Sequence, residues 1–96
     1  MADSIMPFDA PGRCYLCHRV CPTEEHHIFG GGMRKLSEHY GLKVHLCHWC
    51  HNEPPNGVHF NAKRNNELKA AAQSRAMYIY DWSEDQWRQT FRKSYR

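Results

Sequence analysis

The chain contains no apolar run approaching the ~20 residues that a membrane-crossing helix requires. Its first residues, Met1 to Phe8, carry neither a basic start nor an apolar core, so no secretory leader is read there. There is no internal repeat and no low-complexity tract. An even cysteine count is also lacking. There are five, and any all-disulfide scheme leaves one over. A chain that is not exported keeps its thiols reduced. These absences argue against a membrane protein, a repeat array and a disulfide-stapled secreted domain. The expected setting is the cytoplasm.

What the sequence has in abundance is metal-ligand chemistry. Its 96 residues include five cysteines and eight histidines. A chain of about 100 residues buries only a marginal core, and short folds often add a structural metal. The net charge of +3 is unevenly spread. Residues 1–60 hold five Lys/Arg against six Asp/Glu, giving −1, and residues 61–96 hold eight against four, giving +4. That asymmetry permits a nucleic-acid partner and equally suits a solvated helix face.

The patterning divides the chain into three parts. Residues 1–12, with Pro7, Pro11 and Gly12, read as an irregular arm. Residues 13–61 read as the core: a turn at 14–21, a short strand within 24–29, and a break at Gly30-Gly31-Gly32. Two helical turns follow at 33–40, with Leu36 and Tyr40 on one face and Gly41 as their stop. Residues 42–46 alternate like a strand, and CHWCH then opens a helix that Pro54, Pro55 and Gly57 must end. Residues 62–96 read as helices packing on the core. Leu68, Ala71, Ala72, Ala76 and Ile79 give a loose helical pattern over 62–80. Ser83 with Gln86 fits a capping box for a last helix. In it Trp87, Phe91 and Tyr95 form the packing stripe, beside an exposed stripe of Arg88, Arg92 and Arg96.

Cys14 and Cys17 form one CxxC pair, Cys47 and Cys50 another, 29 residues apart. Four thiolates suit zinc, a borderline-soft ion that takes a closed tetrahedral site. A redox CxxC is disfavoured because there are two pairs and no thioredoxin-like alternation. The spacing exceeds the ~15–20 residues of a plain double-CxxC site, so the segment between the pairs must fold into something of its own. Cys21 is left idle. Ionising four cysteines takes +3 to −1, and Zn²⁺ returns the chain to +1.

The histidines are less symmetric. His26 and His27 are adjacent, and on a strand their side chains face opposite ways. They can take different roles beside one metal but cannot easily ligate it together. His51 and His59 would stand ~12 Å apart along an unbroken helix, and the Pro-Pro-Gly break could bring them together. His18, His39, His45 and His48 read as structural or solvent-facing. Glu24 and Glu25 read as exposed, with Glu25 able to orient a nearby histidine.

Glu25-His26-His27-Ile28, then Leu46-Cys47-His48-Trp49-Cys50-His51, then His59, resemble an HNH endonuclease of the ββα-metal type. With its two CxxC pairs the chain looks like the zinc-stapled subgroup, small phage and prophage nucleases that include the recombination-enhancement type. The resemblance covers roughly residues 14–61. It implies an α+β, treble-clef-like fold with a helical C-terminal tail, in a bacterial or phage-infected cell. It implies His27 as general base, and His26 and His51 as ligands of a catalytic divalent cation, with His59 at a looser spacing. Histidine, titrating near ~6.5 as a free side chain, suits a base at neutral pH. Mg²⁺, Mn²⁺, Ni²⁺ and Zn²⁺ all remain open as that cation, beside the structural Zn²⁺. DNA is the implied substrate, with weak sequence preference and products bearing 5′-phosphate and 3′-hydroxyl ends. A recombination or packaging protein is a possible partner. Arg34 and Lys35 near the glycines, and Arg88, Arg92, Lys93 and Arg96 in the tail, are the candidate phosphate contacts.

One position departs from the family. Its middle asparagine falls at Leu42, so the duty of holding the base passes elsewhere or is absent. Asn52 and Asn61 are candidates. A non-catalytic zinc module binding DNA or a protein is the alternative reading.

Overall fold

The computed structural model describes residues 3–96, so Met1 and Ala2 of the arm lie outside the described residues. The architecture is α+β. Strand β1 (Glu24–His27) pairs antiparallel with β2 (Lys43–Leu46). Between them a 3₁₀ turn at Gly31–Met33 leads into helix α1 (Arg34–His39). Helix α2 (His48–Asn52) follows β2, and α3 (Ala62–Tyr80) and α4 (Glu84–Phe91) complete the chain. No helix among the described residues is long and apolar enough to cross a membrane.

The strand register sets everything that follows. Glu24 pairs with Leu46, Glu25 with His45, His26 with Val44 and His27 with Lys43. Because strand side chains alternate, Glu24, His26, Val44 and Leu46 share one face, and Glu25, His27, Lys43 and His45 share the other. Val44 and Leu46 are fully buried. The other face is polar and is covered by the arm and α1. Asp9 accepts from the His45 backbone N–H at 2.8 Å and pairs with His45 Nδ1 at 2.9 Å. Ser4 Oγ donates to the Lys43 carbonyl. The arm is thus irregular in backbone yet docked, with Met6 in the core.

Two glycines make tight approaches possible. Gly41 ends α1 at φ +72°, and a Cβ there would strike the Asp3 carbonyl. At Gly57 a Cβ would lie 2.7 Å from the Glu53 nitrogen, so only glycine lets the chain fold back against α2.

One apolar cluster unites arm, sheet and tail. Phe29, just after β1, is its centre. Its ring lies 5.4 Å from Trp87, 5.0 Å from Phe91 and 5.0 Å from Tyr95. Truncating a buried aromatic of this size to alanine costs ~3–5 kcal/mol, part of it for the cavity left behind. The capping box forms, with Ser83 accepting from the Gln86 N–H and Gln86 accepting from the Ser83 N–H. Helix α3 has the expected bounds, but its buried stripe is Leu68, Ala72, Gln73 and Ala76, while Ala71 and Ile79 are exposed. Gln73 is inside because it ties down the C-terminus: its Oε1 accepts from the Tyr95 N–H at 2.6 Å. The arginine stripe is broken. Helix α4 stops at Phe91, and Arg92 turns left-handed at φ +75°. Tyr95 still reaches the core, from beyond the helix.

Candidate functional site

Cys14, Cys17, Cys47 and Cys50 converge, with ligand atoms within 4.8 Å of one another. The first pair sits in a knuckle. Cys14 N–H donates to the Arg19 carbonyl, and the His18 N–H donates back to the Cys14 carbonyl, both at 2.9 Å. Cys47 caps α2 and Cys50 lies one turn in. Burial raises the Cys14 thiol, but backbone N–H groups of Cys17, Cys47 and Leu16 outweigh it and lower its pKa to about 6. Burial, followed by the neighbouring thiols, pushes Cys50 up to about 12. Four thiols packed this closely cannot all ionise unless a cation offsets them, which is the demand zinc meets. Arg64 Nη2, 3.8 Å from Cys50 Sγ, places a positive charge beside the cluster. Cys21 stands apart, its thiol directed to the Arg19 carbonyl.

His26, His51 and His59 form a second cluster, also with ligand atoms within 4.8 Å. The fold-back at Gly57 brings His59 to His51, ring to ring at 4.7 Å and Nε2 to Nε2 at 3.0 Å. His26 meets both rings edge-on, at 5.0 and 5.1 Å. Two donors held ~2.1 Å from one ion stand ~3.0–3.4 Å apart at octahedral to tetrahedral angles. The His51–His59 separation fits that range. His26 Nε2 is buried with no hydrogen-bond partner among the described residues. An orphaned buried nitrogen is costly unless something binds it. Burial first, then the fields of His51 and His59, lowers the His26 pKa to about 3. It is therefore a neutral imidazole, the form that ligates metal. His51 is aimed by Glu24, whose Oε1 accepts from its Nδ1 at 2.7 Å and leaves Nε2 toward the cluster. That hydrogen bond is the first cause holding Glu24 below the usual carboxylate range.

His27 points to the other face of β1, as adjacent strand residues must. Its Nε2 lies 3.1 Å from Glu38 Oε1 and 3.9 Å from Glu25 Oε1. Lys43, its cross-strand neighbour, reaches Glu38 Oε2 at 2.7 Å and Glu25 Oε2 at 3.6 Å. The two faces meet at the strand end in an open cleft of about 320 Å³, lined by Glu25, His26, His27, Gly30, Gly31, Arg34, His51 and His59. An adjoining hollow adds Asn65 and Lys69 of α3.

Most expected site residues therefore come together: the four cysteines in one place, and His26, His27, His51, His59 and Arg34 in another. Lys35 is exposed on α1. Arg88 and Arg96 both approach Glu84, at 3.8 and 3.4 Å, while Arg92 and Lys93 are exposed. Leu42 is buried core. Asn61 caps α3 and Asn52 donates to Glu24, so neither candidate asparagine meets His27. Reading the strand alternation further would have found Glu24, which shares the His26 face. Glu38 and Lys69 carry no such signal, because they arrive on separate helices. Compared with known protein families, characterised proteins and solved structures, the chain matches none of them.

Proposed function

We propose that this chain is a metal-dependent DNA endonuclease of the zinc-stapled HNH, ββα-metal type. One observation carries the reading. A single strand end sends His26 into a three-histidine cluster and His27 into the same cleft from the opposite face. Hydrolysis of a phosphodiester needs a base for water and a positive centre for the leaving oxygen, side by side.

The donor set fits a divalent cation held by His26, His51 and His59. When bound, it would supply electrophilic stabilisation of the charge on the leaving oxygen. His27 would take the proton of the attacking water. Arg34, at the rim, would meet a flanking phosphate. Zinc on the four cysteines would fix β2 and α2 against the knuckle, and through them Cys50's neighbour His51. A recombination or packaging protein would be the natural partner of a nuclease with little sequence preference of its own.

A second reading, a non-catalytic zinc module that binds DNA or a protein, is favoured by Leu42. At the family's asparagine position the chain offers only apolar core. The deciding experiment is plasmid nicking with Mg²⁺, Mn²⁺ or Ni²⁺, with metal content measured on the same samples. Wild type should nick, and His27→Ala should lose ~10²–10⁴-fold in rate at unchanged zinc content. Equal nicking by both would remove His27 from the base role. One zinc per chain, no second cation in titration and no nicking would favour the binding module.

A further inference from the structure

The polar face of the sheet holds a group that the nuclease reading leaves unused: Glu25, Glu38 and Lys43 around His27. Glu25, His27 and Glu38 offer ligand atoms within 4.8 Å, as a metal site would. Lys43 argues against a metal there. Its buried ammonium lies 2.7 Å from Glu38 and 3.6 Å from Glu25, where a cation would otherwise sit. The carboxylates already have their counter-charge.

The remaining geometry is directional. An ionised carboxylate only accepts hydrogen bonds, and an ammonium only donates them. Glu38 has one oxygen on Lys43 and the other on His27 Nε2, at 2.7 and 3.1 Å. In the neutral ring Nε2 must then carry the proton, and Nδ1 is left bare. Among the described residues Nε2 is the only His27 ring nitrogen with a partner. Lys43 is directly opposite His27 in the ladder and only 4% exposed, so the sheet itself fixes the chain of donors and acceptors.

We propose that Glu38, clamped by Lys43, is a positioning residue that sets the His27 tautomer, presenting bare Nδ1 to water. It does the work expected of the missing asparagine, from helix α1 instead of the position of Leu42. The proposal rests on the reading of His27 as base, and its test separates the two.

The full chain, loaded with stoichiometric zinc, is compared as wild type, Glu38→Gln and Glu38→Gln/Lys43→Met. Two readouts are taken: the ¹⁵N signature of the neutral His27 ring, and the single-turnover nicking rate beside DNA affinity. Wild type should show Nε2–H. Glu38→Gln keeps the shape but has one amide oxygen, which Lys43 claims. Its NH₂ then faces Nε2 and can only donate, so the proton moves to Nδ1. The rate should fall ~10²-fold, as for a lost general base, with DNA affinity, zinc content and circular dichroism unchanged. Lys43→Met in the second variant frees the amide oxygen to turn toward His27, restoring Nε2–H and most of the rate. If Glu38→Gln keeps Nε2–H, the proposal is overturned, whatever the rate does. If the tautomer flips and wild type nicks no DNA with any cation, the Glu38 assignment stands and the nuclease reading falls.

Discussion

Helix α2 contributes a residue to each cluster, Cys50 to the sulfur set and His51 to the nitrogen set. On the sulfur side Cys14, Cys47 and Cys50 are buried, and the fourth potential donor is another cysteine, Cys17. On the nitrogen side burial declines from His26 through His51 to the exposed His59, and three histidine donors come together among the described residues. A closed, four-ligand site holds a fold together. An open, three-ligand site leaves coordination positions for water and substrate. In the proposed reading, residues one step apart on a five-residue helix would therefore serve structure and chemistry separately. The electrostatics differ in the same sense. The sulfur cluster is a group of acids that need a cation to ionise, whereas His26 is already neutral and waiting.

The sharpest way to break this contrast is to remove the zinc proposed for the cysteine cluster. Structural zinc contributes ~10–16 kcal/mol in small zinc folds, about the whole stability of a domain this size. Chelation, or Cys50→Ser, should abolish the cooperative melt and the near-UV circular dichroism signal. A chelated chain that still melts cooperatively would show that the aromatic core around Phe29 suffices without the staple.

The matching perturbation at the open cluster should do the opposite. His51→Ala should remove the second cation, seen in calorimetric titration with Mn²⁺, and reduce nicking to background. Its zinc content and melting behaviour should stay close to wild type, because His51 lies at the rim and not in the apolar core. If it unfolds as Cys50→Ser does, the two sites are one structural unit and the division fails.

Much of this division could be read from the sequence, for physical reasons. Paired CxxC spacings define a metal site almost independently of fold, so the sulfur cluster was visible in Cys14, Cys17, Cys47 and Cys50. The opposite orientations of His26 and His27 follow from strand alternation alone. The approach of His59 to His51 follows from Pro54, Pro55 and Gly57 breaking the helix. What could not be read depends on tertiary docking. Glu38 reaches His27 only because α1 folds back over the polar face, and the arm covers that face only through Asp9 and Ser4. The tail failed for a local reason: the four-residue spacing of Trp87, Phe91 and Tyr95 suggested one continuous helix. Arg92 ends that helix, and Tyr95 packs on Phe29 from irregular chain. Gln73, polar yet fully buried, shows the same limit, since its shortest hydrogen bonds reach Ser94 and Tyr95, more than twenty residues away.

A subtler change tests whether the open cluster is preorganised. Glu24→Ala removes the carboxylate that orients His51 through Nδ1 and also releases His48 and Asn52. Loss of such a partner typically weakens metal affinity ~10–100-fold. Mn²⁺ titration should show that loss, and high Mn²⁺ should recover most of the nicking. Zinc content should not move. Unchanged affinity would mean that His51 is held by the fold-back at Gly57 alone.

The smallest effects belong to the tail, and they ask how far the open cluster's footprint extends. Arg88 and Arg96 already face Glu84 across exposed pairs, which contribute little to stability. Arg92 and Lys93 are exposed and make no ion pair among the described residues. If DNA runs from the cleft along the tail, Arg92→Gln and Lys93→Gln should each lower the salt-dependence slope of binding by about one. Arg88→Gln should lower it by less, because Glu84 partly neutralises that charge beforehand. None of the three should alter zinc content, cation affinity or the melt. A slope unchanged in all of them would confine phosphate contact to the cleft, where Arg34 and Lys69 would carry it. The helical tail would then serve only to cover Phe29, on the structural side of the division along with the cysteines.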